Sequence, residues 1–235
     1  MYSFARLCTV MRLGLMLLPI SVLAQPGGGD KPGSIDSIEQ FGNFSQSYYA
    51  QPHPELIPAA LTFLDSSSLT SNPEVVPLVA MSLSCILHRP ELKGRSWDAE
   101  LAKLHEPVRG IVDAAIAATP EMMLDLVPLS PRRNDMNWAC FFGSGEEQYL
   151  DNIVENLAYL GERKDLNKFM TASSAQWSLS SNALGHAPVM AKLVQLNNAK
   201  GPMQKIAGET LAKSAGELQS EATAVVKEQH QRGVW

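Results

Sequence analysis

Residues 73–87 read PEVVPLVAMSLSCIL, and this stretch decides the fold class of the chain. Its apolar residues recur at steps of three and four, at Val75, Val76, Val79, Leu83, Ile86 and Leu87. That spacing puts them on one face of a helix and predicts an amphipathic helix with one buried side. The opening Pro-Glu pair is typical of a first helical turn, because proline is preorganised there and glutamate faces the positive end of the helix dipole.

The same signal recurs along the chain. Pro-Glu pairs stand at Pro54, Pro90 and Pro120 as well, and Asn72 and Thr119 occupy the positions of N-cap residues. Neither an alternating strand pattern nor an Asn-Gly hairpin signal is present. We therefore predict an all-α fold of stacked antiparallel helix pairs, as an α-solenoid or an irregular helical bundle, in a single domain over residues 34–235.

The C-terminal stretch differs from the rest in its regular charge pattern. Lys205, Glu209, Lys213 and Glu217 follow one another at steps of four, opposite a thin apolar seam rich in alanine. The pattern predicts one long amphipathic helix over residues 201–232. We interpret it as a closing helix packed along the others, with a partner-binding helix or a coiled-coil seam as the alternatives.

The N-terminal 24 residues have the order of a secretory signal peptide. Arg6 and Arg12 precede an apolar run, and Val22-Leu23-Ala24 places small residues at the cleavage positions. We predict cleavage between Ala24 and Gln25, a periplasmic or secreted location, and a flexible linker over residues 25–33, which read QPGGGDKPG. No later run is long and apolar enough to span a bilayer, so we expect no stable membrane insertion after cleavage.

Charge and cysteine content narrow the function classes. The formal charge of −5 would become −7 without the two arginines of the signal peptide, and an acidic chain is a poor nucleic-acid binder. Cys85 and Cys140 would be the remaining cysteines, and an oxidising compartment makes them a possible disulfide, with two separate buried thiols as the alternative. The oligomeric state stays open.

Motifs for metals and cofactors are missing from the sequence. The five histidines do not pair at helical spacing, no HExxH or cysteine knuckle occurs, and no glycine-rich phosphate loop follows a strand pattern. Gly143-Ser144-Gly145 lacks the spacing of a nucleophile elbow and reads as a break between helices, with Gly145 ending the first. We predict no metal site and no cofactor.

Two groups of residues are candidates for binding. The first is Asp135, Trp138 and Tyr149, for which an aromatic core at a helix corner is the structural alternative. The second has Ser174, Ser178, Asn182 and His186 at steps of four beside Trp177, which predicts one helix face carrying hydroxyl, amide and imidazole groups. Such a face either contacts a ligand or forms a structural polar network, and His186 could cap the helix that Pro188 opens.

Short motifs of the chain resemble those of a group of proteins without assigned activity. The motifs are Tyr48-Tyr49 with Pro52-His53-Pro54-Glu55, then Trp138, Phe142, Gly145 and Tyr149, then Trp177-Ser178-Leu179, Asn182-Ala183 and His186. Across residues 48–189 the sequence resembles an uncharacterised group of short exported bacterial all-helical proteins. The resemblance implies an exported bacterial helical domain and carries over no catalytic residue.

These observations favour a non-enzymatic protein. Stacked helices offer extended binding surfaces, and no catalytic triad or cofactor motif is visible. We therefore expect an exported protein- or peptide-binding helical module of the bacterial envelope. The alternative is a small-molecule-binding or hydrolytic protein that uses the Ser178, Asn182 and His186 face.

Overall fold

The computed structural model describes residues 33–235, which form helices joined by turns and loops, with no strand among them. The predicted signal peptide and nearly all of the predicted linker lie outside the described residues. The all-α prediction is confirmed, whereas the stacking of helices in antiparallel pairs stays a prediction. The α-helices are α1 Ile38–Ser47, α2 Ile57–Ser66, α3 Val76–Leu87, α4 Asp98–Leu101, α5 Val108–Ala117, α6 Pro120–Asp125, α7 Pro131–Ser144, α8 Glu147–Glu155, α9 Leu166–Ala183, α10 Ala187–Asn198, α11 Pro202–Ala212 and α12 Ala215–Gln231.

Four short 3-10 helices accompany them, at Pro54–Leu56, Leu69–Ser71, Pro90–Leu92 and Asn156–Gly161. The Pro-Glu pairs thus begin different elements. Pro120 opens α6 behind Thr119, whose side chain accepts a hydrogen bond from the N–H of Met122 as an N-cap does. Pro54 and Pro90 open 3-10 turns, and Pro73 lies in a turn before α3.

The described residues fall into two compact units. One comprises residues 33–128 and 135–150, and the other comprises residues 129–134 and 151–235. Helices α7 and α8 each contribute residues to both units. That residues 34–235 fold as a single domain stays a prediction.

In the first unit, α3 lies beside α5, and α2 also contacts α5. The predicted apolar face of α3 packs there, because its Leu83 and Ile86 are buried in one continuous core with Leu61, Leu64 and Val112. In the second unit, α9 is surrounded by the 3-10 helix Asn156–Gly161 and by α10, α11 and α12. The core of the first unit therefore includes the apolar face of α3 that the periodicity predicts.

The single long helix predicted over residues 201–232 is wrong. The chain forms α11 and α12 instead, with Lys213 and Ser214 in extended conformation between them. Ser214 and Glu217 make a capping box, in which each side chain bonds the backbone of the other and satisfies N–H groups at the start of α12. The hydroxyl of Ser180 donates to the carbonyl of Lys213 at 2.7 Å, so the carbonyl exposed by the break is also satisfied.

Candidate functional site

The aromatic residues of the first candidate group form a core. Trp138 is only 1% exposed, stacks on Phe142 with ring centroids 5.3 Å apart, and meets Phe141 edge-on. All three rings lie on α7. Asp135 is half-buried on the same helix and interacts with other residues of the protein. Trp138 therefore contributes its surface to packing in the first unit.

Tyr149 links α8 to α6 through a polar contact. Its ring is buried, and its hydroxyl donates to the Glu121 carboxylate at 2.8 Å. Burial and this neighbouring negative charge together raise the pKa of Tyr149 far above its usual value. Partial burial alone would raise the pKa of Glu121, but hydrogen bonds from its own backbone, Tyr149 and Thr119 bring that pKa below its usual value. The pair is therefore a tyrosine hydroxyl bound to an ionised carboxylate at neutral pH.

The second candidate group does not share one helix. Helix α9 ends at Ala183, and His186 stands at the N-cap position of α10. Its side chain makes no capping hydrogen bond, although its backbone N–H donates to the carbonyl of Asn182 at 3.0 Å. The predicted single face is thus wrong, because Leu184 and Gly185 turn the chain before His186. Burial lowers the pKa of the His186 imidazole, which favours its neutral form.

The other members of this group make contacts within the second unit. Trp177 packs with Phe169 and Leu218 in the core of that unit. The Ser178 hydroxyl donates to the carbonyl of Ala175 in its own helix at 3.1 Å, and Asn182 is buried. Asp135 lies in the first unit and His186 in the second. A hydrolytic or small-molecule site at Ser178, Asn182 and His186 stays a prediction.

A buried polar network beside α9 was missed by the sequence reasoning. Asn134 donates from its amide nitrogen to the Thr171 carbonyl at 2.8 Å and to the Ser174 hydroxyl at 2.7 Å. Asn156 in turn donates to the amide oxygen of Asn134 at 2.7 Å. These four residues are buried, so each bond replaces hydration that folding removes. Spacing could not reveal the network, because Asn134 and Ser174 are 40 residues apart.

The two cysteines that would remain after signal cleavage lie together in the first unit. Cys85 on α3 and Cys140 on α7 form a disulfide, with Cα atoms 5.1 Å apart, and both are buried. The helices approach closely here, since a Cβ on Gly143 would lie 3.2 Å from the Cβ of Cys85. The Arg89 guanidinium donates to the carbonyls of Gly143 and Ser144 and so caps the C-terminus of α7.

The two units differ in formal charge, and the sequence reasoning also missed this difference. The first unit holds 15 acidic against 5 basic residues among its described positions, a formal charge of −10. The second holds 8 acidic against 11 basic residues, a formal charge of +3. We call them the acidic unit and the basic unit. The signal was present in the sequence, because acidic residues predominate up to residue 128, but a charge summed over the whole chain conceals it.

Among residues 33–235, six large apolar side chains are exposed, and two of them, Met122 and Leu126, are four residues apart on α6. Met122 is 58% exposed. Leu126, four residues later, is the C-cap of α6 and is 85% exposed. Residues four apart on a helix lie on the same side. Ile38 at 62% in the acidic unit and Leu184 at 87% in the basic unit are far from this pair in sequence.

Within residues 33–235, no cluster of three or more histidine, cysteine, aspartate or glutamate side chains is arranged to hold a metal ion. In the same part of the chain, no helix has the length and apolar character needed to cross a membrane. Comparison with protein-family models, curated proteins and solved structures found no match.

Proposed function

We propose that this chain is an exported, non-enzymatic module that binds another protein or a peptide through its helical surface. The observation that carries the proposal is the exposed apolar pair Met122 and Leu126 on α6. Large apolar side chains cost free energy in water, and neighbouring ones mark sites that a partner covers. Methionine suits such a site because its flexible thioether adapts to different partner surfaces.

The places of the predicted site residues agree with a binding role. Trp138 and Trp177 pack in cores, and the Ser178 hydroxyl donates to the carbonyl of Ala175 in its own helix. The exposed apolar pair Met122 and Leu126 supports binding, while Trp138 and Trp177 contribute to packing.

Two features support the proposed export. The order of charged, apolar and small residues in the first 24 positions is that of a secretory signal peptide. A disulfide between Cys85 and Cys140 fits an oxidising compartment, where such bonds persist. The two features are independent of one another, since one concerns targeting and the other concerns chemistry inside the fold.

Site-specific photo-crosslinking in cells tests this function. A benzoylphenylalanine at position 126 should give discrete adducts with a partner, because that side chain is the most exposed of the pair. The matched control carries the same crosslinker at position 38, which is also exposed and apolar and lies in the same unit. The proposal fails if position 126 gives no adduct, or if positions 126 and 38 give the same adducts.

A further inference from the structure

Helix α6 presents an apolar pair and two carboxylates on the surface of the acidic unit. We propose that this surface, formed by Glu121, Met122, Asp125 and Leu126 and called the α6 ridge, docks a cationic amphipathic segment of a partner polypeptide. The inference rests on the proposed binding function and names the class of partner.

The ridge belongs to an anchored helix. Pro120 and Leu124, which alternate with the ridge residues along α6, are buried. The Thr119 side chain caps the first turn, and the Glu121 carboxylate accepts a hydrogen bond from buried Tyr149. Burial of one side fixes the other side in place, so Met122 and Leu126 are held outward without help from a partner. A preorganised surface loses little conformational entropy when a partner binds.

The charges next to the apolar pair are negative. Glu121 and Asp125 are exposed and four residues apart on α6, as Met122 and Leu126 are. Desolvation of its carboxylate would raise the pKa of Glu121, but hydrogen bonds from its own backbone, Tyr149 and Thr119 hold that pKa below its usual value, so Glu121 is ionised at neutral pH. Glu146 also carries a charge close enough to act on Tyr149, the residue that contacts Glu121. An incoming segment with basic side chains beside its apolar ones would find opposite charges at the ridge.

The charge of the whole unit selects among possible occupants. With 15 acidic and 5 basic residues, the described part of the acidic unit repels nucleic acids, anionic lipid surfaces and the acidic unit of a second copy. A metal ion or a polyamine would satisfy the carboxylates but would leave Met122 and Leu126 in water. A helix with an apolar stripe flanked by lysine or arginine matches both features of the ridge.

Fluorescence anisotropy with a defined probe tests the inference on the full chain. The probe is a labelled 18-residue peptide of leucine and lysine, with leucine at helical spacing. Replacing both apolar residues, in Met122→Ser/Leu126→Ser, should raise Kd about tenfold or more, since buried apolar anchors carry most of the affinity of an interface. The control Ile38→Ser removes an apolar side chain of the same unit, about as exposed as Met122, and should change Kd less than about twofold.

The charge contribution is measured separately. Glu121→Gln/Asp125→Asn keeps hydrogen-bonding atoms at the ridge and should raise Kd about fivefold at low salt, an effect that salt screening should remove at about 0.5 M. The matched control is Asp36→Asn/Glu39→Gln, which neutralises two exposed carboxylates of the same unit, one just before α1 and one in its first turn. A leucine and glutamate peptide of the same pattern should bind at least tenfold more weakly than the cationic probe.

The outcomes separate this inference from the proposed function. Equal loss of binding in ridge and control variants would mean nonspecific attraction to the acidic unit and would overturn the inference. Equal binding of the acidic peptide, or an adduct at position 126 that proves to be a second copy of the chain, would overturn it too. If position 126 crosslinks a different protein in cells while the cationic probe does not bind the ridge, the binding function stands and the partner class proposed here is wrong.

Discussion

The acidic unit and the basic unit use different means to hold their helices together. The acidic unit has a continuous apolar core, and its α3 and α7 are tied by the Cys85–Cys140 disulfide. The basic unit is organised around α9, in which 13 of 18 residues are buried and six of those are polar. A buried apolar core tolerates neighbours of many kinds, whereas buried polar groups require particular partners. The comparison therefore predicts different sensitivities to substitution in the two units.

Loss of the disulfide should have the largest effect on stability, and it should directly destabilise only the acidic unit. On the chain-entropy model, a crosslink between cysteines 55 residues apart stabilises a fold by about 4 kcal/mol. Cys85→Ala/Cys140→Ala should therefore reduce hydrogen-exchange protection in α3 and α7 by a corresponding amount. Dithiothreitol should lower the protection of the wild type and leave that of the variant unchanged. Equal protection of wild type and variant would contradict the disulfide.

Removal of Asn134 should have the next largest effect, in the basic unit. Asn134→Ala leaves the buried amide of Asn156 without its acceptor and deprives the Ser174 hydroxyl of a donor. An unsatisfied buried group together with lost hydrogen bonds costs about 2–3 kcal/mol. Hydrogen exchange in α9 measures this loss of stability. The matched control is Asn167→Ala, at an exposed asparagine that donates to the Leu129 carbonyl. The control should cost less than about 1 kcal/mol. A loss no larger than that of the control would show that the network contributes little.

Two glycine substitutions should have opposite signs in the two units. Gly143→Ala places a methyl group 3.2 Å from both Cys85 Cβ and Ile86 Cγ1 in the acidic unit and should cost about 1–3 kcal/mol by overpacking. Gly216→Ala in α12 of the basic unit meets no atom within 4 Å and should stabilise by about 0.4–1 kcal/mol. Urea midpoints compare the two variants. Destabilisation by both would mean that α12 also lies against a close neighbour.

Alkaline pH should give the smallest effect, again in the acidic unit. Burial and Glu121 raise the pKa of Tyr149 in the folded state above its usual value of 10.0, so its neutral form stabilises the fold. That contribution is complete below about pH 10 and is lost as the pH rises towards the folded-state pKa. Tyr149→Phe cannot ionise, so its urea midpoint should fall less between pH 9 and pH 11 than that of the wild type. An equal fall in both proteins would refute the role of Tyr149.

Local sequence signals predicted several features correctly, and two other features were misinterpreted. Thr119 caps α6 as predicted, and Gly145 follows the end of α7 with a φ of +79°, a conformation that glycine adopts without strain. The capping box of Ser214 and Glu217 was also readable, but the regular charge pattern of residues 205–217 concealed it. At His186 a step of four residues suggested continuity, although Gly185 and Pro188 are signals of a helix break.

The sequence by itself determined the all-helical class, the buried face of α3, the start of α6 behind Thr119 and the charge of each segment. These follow from neighbours within a few residues, because helical periodicity and capping are local. Only the tertiary structure decided that Asn134 meets Ser174, that Cys85 meets Cys140, and that Met122 and Leu126 stay exposed while Leu124 is buried. Such contacts join residues far apart in the chain, and their choice depends on how all the apolar faces are covered at once.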